Sequence, residues 1–419
     1  MLRLVYNLAL YAAVPIALLF NGWRSLRDRS YRERLGERLG FSRVRAHDSL
    51  WIHAVSVGEV QAAAALIREL SKRHPARPLI VTTGTPTGAQ RVQALFGASA
   101  RHVYLPYDTP GGVRRFLDRI RPGVAIVMET EVWPNLFREC ARRRIALVIA
   151  SARLSKKSVQ GYRWLASLFA QALASDIEIA AQTRGDADRF IGVGANPERT
   201  HVIGNIKFDL DVAEEVRERG RAARVQWGDR QVWVAGSTHA GEEDIVLDAH
   251  DRLRSTNPRA LLVLVPRHPQ RFEDVKSGLR NRGVEFVARS QHTPPVATTQ
   301  VLLVDALGEL MTFYAASDIA FVGGSLVPIG GHNLLEPAAL ALPILIGPHN
   351  FNSPDVATAL LERGAAVEVR TAEELACTLR QLFEDGHARQ RQGALAQAFV
   401  VENRGALRRL LALIEPHLR

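Results

Sequence analysis

The sequence is poor in cysteine and lacks two common nucleotide-binding signatures. Its two cysteines, Cys140 and Cys377, are far apart and have no CxxC or Cys/His spacing. This excludes a disulfide framework and a zinc site, and it favours a reducing compartment. The glycine-rich segment 323–337 matches neither Gly-x-Gly-x-x-Gly nor Gly-x4-Gly-Lys-Ser/Thr. This segment therefore lacks the usual sequence signatures of dinucleotide-dependent dehydrogenases and of P-loop ATPases.

Acidic residues are outnumbered by basic ones. There are 43 Asp and Glu against 54 Lys and Arg, which gives a formal charge of +11. Such an excess favours an acidic partner, which could be nucleic acid, anionic lipid or a negatively charged small substrate. Many of the arginines are scattered along predicted helices, a distribution that is also typical of solvated helix faces. Charge alone does not choose among these partners.

Charge is absent from residues 4–23, which are mostly apolar. Twenty helical residues rise about 30 Å, the thickness of a bilayer core, although Asn7 and Pro15 weaken the segment as a membrane span. Arg3 alone precedes it, whereas six arginines follow it closely: Arg24, Arg27, Arg29, Arg32, Arg34 and Arg38. The positive-inside rule then predicts that the body of the protein lies on the cytoplasmic side of the inner membrane, where these arginines attract anionic headgroups.

Two other interpretations of the N-terminal segment remain open. A cleaved signal peptide would need a small-x-small cleavage site, but the chain after Phe20 has none and continues into basic residues. The segment could also be a buried core helix. Whether an anchor would span the bilayer or lie flat in its interface is not decided by the sequence.

The rest of the chain alternates apolar strands with amphipathic helices. This pattern predicts an α/β fold with parallel sheets covered on both faces, and 419 residues suit two doubly wound domains. Ligands are then expected in a cleft beyond the carboxyl ends of the strands. The predicted divisions are a membrane anchor at 1–23, a basic segment at 24–49, an N-terminal domain at 50–212, a linker at 213–229 and a C-terminal domain at 230–419, whose last helix is allowed to pack back on the N-terminal domain.

Polar residues follow the predicted strands of the first half. Ser56 and Glu59 stand at N-cap and N3 of a predicted helix, where Ser-x-x-Glu forms a capping box or, alternatively, supplies a carboxylate that accepts a proton from an alcohol. Glu129 and Glu131 follow a later strand and would share a face if that strand persists. Lys207 is a candidate cation for an acidic ligand, or simply a solvated lysine.

The second half carries its own set of polar and glycine residues at strand ends. Ser237 and Thr238 can cap a helix or contact phosphate, while Arg267 and His268 stand between two prolines. The segment Gly323–Pro337 places two glycine pairs between a strand and a helix predicted over 332–342. Such a junction typically offers backbone N–H groups to an anion, although glycines also make plain tight turns. Asp209 and Asp211 are not interpreted as a metal site.

Taken in order, these motifs resemble those of the Kdo transferases, which move 3-deoxy-D-manno-octulosonic acid (Kdo) from its CMP-activated form onto lipid A precursors. The motifs are His53-x-x-Ser-x-Gly-Glu59, Glu129-Thr-Glu-x-Trp-Pro-Asn135, Asn205-Ile-Lys-Phe-Asp209, Gly236-Ser-Thr-His239, Pro266-Arg-His-Pro269 and the segment 323–337. The resemblance implies a GT-B fold, in which two Rossmann-like domains face each other across a cleft. It also implies no metal, no bound cofactor and no nucleic-acid partner.

The resemblance further implies roles for individual residues. Glu59 would be the general base that deprotonates the acceptor hydroxyl of lipid IVA, with inversion at the anomeric carbon of the sugar. The implied acceptor-binding residues are Ser56, Glu129, Glu131 and Lys207. The implied residues for binding CMP-Kdo are Ser237, Thr238, Arg267, His268, Gly330, Gly331, Asn333 and Glu336. Two alternatives stay open: another GT-B sugar-nucleotide enzyme, such as a UDP-sugar glycosyltransferase or epimerase, and a membrane-tethered nucleotide-binding module.

Overall fold

The computed structural model describes residues 2–26, 28–155, 166–173 and 176–418. Arg27 of the predicted basic segment lies outside these ranges. The chain forms two compact units, which are Met1–Asp209 with Arg404–Arg419 (unit 1) and Leu210–Asn403 (unit 2). Each unit contains one seven-stranded parallel sheet, which confirms the predicted α/β class.

The sheet of unit 1 has the strand order β3-β2-β1-β4-β5-β6-β7. Its strands are β1 (Ser49–His53), β2 (Leu79–Thr83), β3 (Arg101–Tyr104), β4 (Pro122–Met128), β5 (Ala146–Ala152), β6 (Ile177–Ala181) and β7 (Thr200–Val202). Its helices are α1 (Leu2–Arg24), α2 (Val57–Arg73), α3 (Pro86–Phe96), α4 (Pro110–Ile120), α5 (Pro134–Arg142), α6 (Ala166–Leu173), α7 (Arg184–Gly192) and, from the end of the chain, α16 (Ala406–Ile414).

The sheet of unit 2 has the strand order β10-β11-β9-β8-β12-β13-β14. Its strands are β8 (Val232–Thr238), β9 (Leu261–Pro266), β10 (Phe286–Ala288), β11 (Val301–Leu303), β12 (Ile319–Val322), β13 (Ile344–Ile346) and β14 (Ala366–Glu368). Its helices are α8 (Glu214–Trp227), α9 (Glu242–Arg254), α10 (Phe272–Asn281), α11 (Leu310–Ala315), α12 (Leu335–Ala339), α13 (Pro354–Glu362), α14 (Ala372–Glu384) and α15 (Gly386–Glu402).

Apolar residues on both faces of each strand explain why both sheets are buried. In β1, Leu50 and Ile52 enter one core cluster of unit 1 while Trp51 enters the cluster on the opposite face. In β8, Trp233 and Val234 divide in the same way between the two cores of unit 2. Continuous apolar strands of this kind need helices on both sides of the sheet, which is the doubly wound arrangement.

The strand orders place two switch points where ligands bind in doubly wound folds. In unit 1, successive strands are added towards one edge of the sheet up to β3 and towards the other edge from β4, so the order reverses between β1 and β4. In unit 2 the same reversal lies between β8 and β12. At such a point the two adjacent loops leave the sheet on opposite sides and open a crevice beyond the carboxyl ends of the strands. These four strand ends precede most of the residues predicted to be functional.

The segment 213–229, predicted to be a linker, is instead the helix α8 of unit 2. Trp227 is 5% exposed and its ring stacks on Phe313, with 6.4 Å between the ring centroids. Arg224 forms an ion pair with Asp318 at 3.2 Å. The many charged residues of this segment lie on the solvated side of a helix whose other side packs into the core.

The end of the chain belongs to unit 1. Leu410 and Ile414 of α16 are buried in one of its core clusters. Asp209 fixes the start of this helix, since its carboxylate accepts hydrogen bonds from the backbone N–H groups of Gly405 (2.6 Å) and Leu407 (2.7 Å). Asp209 therefore has a structural task as a helix cap.

The N-terminal helix α1 and the basic segment after it also belong to unit 1. Within the described ranges, α1 is the one helix long and apolar enough to cross a membrane, with a mean hydropathy of 1.7. Arg38 of the basic segment is buried, donates to the Gly84 carbonyl at 3.1 Å and lies over the Tyr104 ring at 4.5 Å. This arginine stabilises the fold. It is not available to lipid headgroups, contrary to the prediction from the sequence.

Candidate active site

In unit 1, the loop after β1 holds Glu59 at the start of α2. Ser56 is the N-cap, and its hydroxyl oxygen accepts from the Glu59 N–H at 3.5 Å. The Glu59 carboxylate accepts from the Val55 N–H at 2.8 Å and, more weakly, from the Ser56 hydroxyl at 3.4 Å. The Ser56 half of the expected capping box is thus present, whereas Glu59 accepts from the residue before the N-cap instead of from the N-cap itself, and its carboxylate has several further acceptor positions.

Burial and neighbouring charges make Glu59 an unusual carboxylate. Its pKa is raised to about 7, chiefly by burial and in smaller part by the negative charges of Glu129 and Glu131, while the Val55 N–H and the Lys207 ammonium oppose the shift. A carboxyl group with a pKa near neutrality exchanges its proton readily at physiological pH. The same electrostatic coupling shows that the fold brings all four predicted residues, Glu59, Glu129, Glu131 and Lys207, into one cluster.

Glu129 begins the loop after β4 in a strained conformation. Its φ is +57°, a left-handed value that few residues other than glycine adopt and that costs about 1–3 kcal/mol. Its carboxylate accepts from the Lys207 ammonium at 3.0 Å. Because β4 ends at Met128, the alternation that would have put Glu129 and Glu131 on one strand face does not continue. Glu131 is half-buried, and burial raises its pKa.

Lys207 is held in place from the backbone. It lies in a short 3₁₀ turn, Ile206–Phe208, where the Asn205 side chain accepts from the Lys207 N–H at 2.9 Å. The Asn205 amide in turn donates to Gln182 at 3.1 Å. An exposed ammonium on a fixed backbone, paired with a strained glutamate, suits the recognition of an anionic ligand.

In unit 2, the end of β8 carries the first group of predicted residues. Ser237 has a φ of +59° and stands at a bulge between Gly236 and Thr238. Thr238 is fully buried, so its hydroxyl does not reach solvent as the predicted phosphate contact would require. Its carbonyl accepts from the Arg267 N–H at 3.0 Å and thereby fixes the exposed arginine at the end of β9.

The glycine segment after β12 differs from the anion-binding junction expected from the sequence. The N–H groups of Gly324, Ser325 and Leu326 donate to the fully buried Glu242 carboxylate at 2.7, 3.0 and 2.9 Å. The His239 N–H is a fourth donor to Glu242, at 3.0 Å. The anion that these amides bind is therefore a side chain of the protein itself.

The second glycine pair closes back on the first. Gly330 and Gly331 both donate to the Gly324 carbonyl, at 3.0 and 2.7 Å, and both have positive φ values, of +106° and +72°. The predicted helix over 332–342 shortens to α12, five residues long, because the chain up to Leu334 is engaged in this loop. Asn333 bonds to Glu336 at 3.1 Å at the start of α12. The glycines thus shape the loop and do not offer their amides to a ligand.

Three histidines lie together at this loop, and of these the sequence analysis assigned only His268 to the donor site. His239 and His332 stack, and their Nε2 atoms are 2.7 Å apart. One ring therefore donates an N–H hydrogen bond to the other. The His268 ring stands edge-on to His239 at 5.2 Å. Burial is the main cause that lowers the pKa of His332 to about 4, so this ring stays uncharged at neutral pH. His239 ends the motif that began with Gly236, and this was the available signal.

Solved structures with the same architecture place the fold in the GT-B class. A UDP-GlcNAc 2-epimerase from Neisseria meningitidis matches with a TM-score of 0.59 over 88% of this chain and 100% of its own, at 14% identity. A putative UDP-N-acetylglucosamine 2-epimerase from Listeria monocytogenes matches with a TM-score of 0.57 over 89% of this chain and 97% of its own, also at 14% identity. At this identity the likeness concerns the fold alone.

Sequence relatives define the family. The profile of the family described as 3-Deoxy-D-manno-octulosonic-acid transferase (kdotransferase) matches residues 33–210. A 3-deoxy-D-manno-octulosonic acid transferase from Haemophilus influenzae is 42% identical over 100% of this chain and 99% of its own. One from Bordetella pertussis is 36% identical over 99% of both chains. The chain therefore belongs to the Kdo transferase family of glycosyltransferases, which confirms the resemblance drawn from the motifs.

Proposed function

We propose that this protein transfers Kdo from CMP-Kdo to a hydroxyl group of a lipid A precursor, lipid IVA, without a metal ion. Family membership over the whole chain supports the transfer of Kdo. The observation that carries the proposed mechanism is Glu59, a carboxylate with a pKa of about 7 beside two further glutamates and a lysine.

In the proposed reaction, the ionised Glu59 carboxylate removes the proton of the acceptor hydroxyl. The oxygen attacks the anomeric carbon of Kdo from the face opposite to CMP, so that the new glycosidic bond forms as the bond to the CMP phosphate breaks, and the configuration inverts. CMP leaves with the electron pair of the broken bond. General-base assistance of this kind contributes about 10²- to 10⁴-fold to a rate.

Unit 1 is proposed to bind the acceptor. The Lys207 side chain remains 42% exposed in its ion pair with Glu129, so that an anionic group of the acceptor can bind to its ammonium as well. Glu131 and Ser56 complete the set of side chains assigned to the acceptor. In this proposal Ser56 acts through Glu59, because its hydroxyl donates to the carboxylate.

Unit 2 is proposed to bind CMP-Kdo. Charge grows on the CMP phosphate as its bond to the sugar breaks, and fixed positive groups and hydroxyls stabilise that charge. Arg267 is exposed and its backbone is fixed by Thr238, which supports a role as the phosphate ligand, with Ser237 and His268 beside it. Gly330 and Gly331 shape the loop, and Asn333 and Glu336 are the residues proposed for the nucleoside.

We also propose that the protein works at the cytoplasmic side of the inner membrane. The lipid acceptor lies there, and the length and apolar composition of α1 support association with it.

The experiment is incubation of the purified full chain with CMP-Kdo and tetra-acylated lipid IVA, followed by mass spectrometry of the lipid. The proposal expects lipid products heavier by one or more Kdo units, and release of CMP. UDP-GlcNAc in place of CMP-Kdo is the matched control, and it should give no transfer and no epimer. Turnover of the UDP-sugar with no Kdo product would contradict the proposal and favour the alternative class.

A further inference from the structure

The helix α1 has two distinct faces. On one face every third or fourth residue is half-buried against the rest of unit 1, including Tyr6, Asn7 and Asn21. The other face is apolar and exposed, and its large side chains are 52–75% accessible to solvent. They are Leu4, Val5, Leu8, Tyr11, Ile16, Leu19, Phe20 and Trp23. Soluble proteins rarely leave so long an apolar stripe uncovered.

Polar bonds attach the inner face of α1 to unit 1 over most of its length. The Tyr6 hydroxyl donates to the Asp108 carboxylate at 3.0 Å, and the Asn7 side chain accepts from the Asn135 amide at 2.8 Å. Near the other end of the helix, the Asn21 amide donates to the Tyr107 hydroxyl at 3.0 Å. Asn7 and Asn21 are separated by about 21 Å along the helix axis at 1.5 Å per residue. The helix therefore lies along the surface of unit 1.

The partners of these bonds are themselves part of the folded unit. Asp108 is buried and also accepts from the backbone N–H groups of Asn135 and Leu136, at 2.9 and 2.8 Å, at the start of α5. Extraction of α1 from this surface would leave Asp108 and the two helix asparagines without these partners. Unpaired polar groups in hydrocarbon cost several kcal/mol each.

Charges beside the apolar face fit a lipid surface. No charged residue separates Arg3 from Arg24 on the helix. A cavity of about 480 Å³ beside Asn7 is lined by Arg114, Arg138 and Arg142, with Glu139 as its acidic member. Arginines next to an apolar stripe place positive charge at the level of lipid phosphates, and exposed Trp and Tyr rings prefer the same depth.

From this geometry we propose that α1 lies in the plane of the membrane, with its apolar face in the lipid and its polar face bonded to unit 1. The protein would then be held on one leaflet and would not span the bilayer. The occupant of the exposed face is the acyl-chain surface of an anionic bilayer. This inference rests on the proposed location at the membrane and specifies how the protein is bound there.

The test is a depth profile along the exposed face of α1. Single cysteines replace Val5, Ala12 and Leu19, which are exposed on the same side of α1, in the full chain with Cys377→Ser, and each carries an environment-sensitive fluorophore. Quenchers at different acyl-chain positions, in vesicles of phosphatidylethanolamine and phosphatidylglycerol, then report the depth of each probe. An in-plane helix predicts three equal depths. A spanning helix would place residue 12 about 10 Å deeper than the other two probes.

A second variant tests the face directly. Ile16→Glu puts a charge in the middle of the apolar stripe and should weaken partition onto these vesicles about tenfold or more. Val225→Glu, at an 80% exposed valine of unit 2, is the matched control and should leave partition unchanged.

The outcomes separate this inference from the proposed function. Equal depths with loss of binding in Ile16→Glu support it, and a deep central probe overturns it while the membrane location stands. Absence of vesicle binding by the parent chain overturns both the in-plane helix and the membrane location. Kdo transfer onto acceptor dispersed in detergent is measured separately, and its absence would instead contradict the proposed reaction.

Discussion

At the scale of single residues, the carboxylate cluster of unit 1 determines how the protein should respond to pH. Only ionised Glu59 can accept the acceptor proton, and burial raises the pKa of this group to about 7. The ionised fraction grows as pH rises through that value and falls about tenfold for each pH unit below it. A plot of log kcat/KM against pH, which reports the pKa of the free enzyme, should therefore rise with a slope near one up to about pH 7 and then level off.

The charge of Lys207 predicts how this profile shifts. Lys207 opposes the upward shift of the Glu59 pKa, so Lys207→Met should move the midpoint of the profile to higher pH. Lys72→Met removes an exposed lysine from the same helix as Glu59, α2, and is the matched control. Equal midpoints for Lys207→Met and the parent protein would show that the two side chains are not electrostatically coupled.

The sequence predicted the cluster in unit 1 better than the loop in unit 2. Carboxyl ends of parallel strands meet at one sheet edge, so Glu59 and Glu129 could be brought together from strand pattern alone. Glu242 could not be found in this way. Its role depends on the path of a loop more than eighty residues later in the chain. That path determines which backbone N–H groups donate to the Glu242 carboxylate.

At the scale of elements, the hydrogen bonds of Glu242 predict how much this side chain stabilises the glycine loop. The Glu242→Gln variant replaces two acceptor oxygens by one oxygen and an NH₂ group that faces backbone N–H donors. Buried groups left unpaired in this way cost about 1–3 kcal/mol each. We expect a loss of about 2–4 kcal/mol in the free energy of unfolding, measured by urea denaturation.

The control for this variant lies on the same helix. Asp244 forms an exposed ion pair with Arg282 at 2.8 Å, and such pairs contribute about 0–1 kcal/mol. Asp244→Asn should therefore change stability by less than about 1 kcal/mol. If Glu242→Gln is no more destabilised than Asp244→Asn, the buried carboxylate does not hold the loop.

In the helix α8, replacement of a glycine by alanine is expected to lower stability, which is the opposite of the usual effect in a helix. Gly220 lies inside it, where alanine normally stabilises a helix by up to about 1 kcal/mol. Here an added Cβ would be 2.5 Å from the Ala315 side chain and 2.9 Å from its backbone carbon. Gly220→Ala should thus destabilise the protein by about 1–3 kcal/mol in thermal or urea unfolding.

A second helical glycine supplies the comparison. Gly278 of α10 has no atom within 4 Å of an added Cβ, so Gly278→Ala should be neutral or stabilising. A stabilising effect of Gly220→Ala would mean that α8 does not pack against α11, as the original prediction of a linker at 213–229 implied.

Edge strands show where strand prediction from sequence stops. Central strands such as β1 and β9 are buried throughout and have apolar cores, and the sequence predicted them. Of the edge strands, β3, β7 and β14 are only partly buried and were not predicted, whereas β10 was predicted from the run 284–287. A strand with one neighbour needs fewer apolar residues, so its pattern resembles that of a loop.

At the scale of the whole molecule, each unit brings its functional residues to the switch point of its own sheet. Glu59 and Glu129 follow β1 and β4 in unit 1, whereas Ser237 and the glycine segment follow β8 and β12 in unit 2. Two similar folds thus present different chemistry, a carboxylate cluster in one and an arginine with histidines in the other. The proposed assignment of acceptor to unit 1 and donor to unit 2 rests on the resemblance to the family, and this difference in charge supports it.

The central claim, that Glu59 is the base for Kdo transfer, is tested most directly by the rate of Glu59→Gln. The measurement is kcat for Kdo transfer from CMP-Kdo to lipid IVA at pH 8, where the parent carboxylate is ionised. Glu69→Gln removes a carboxylate from the same helix, where it pairs with Arg73 at 3.4 Å, and serves as the control. We predict a kcat about 10²- to 10⁴-fold lower for Glu59→Gln, unchanged affinity for CMP and a near-parental rate for Glu69→Gln. A Glu59→Gln enzyme that transfers Kdo at the rate of Glu69→Gln would contradict the account.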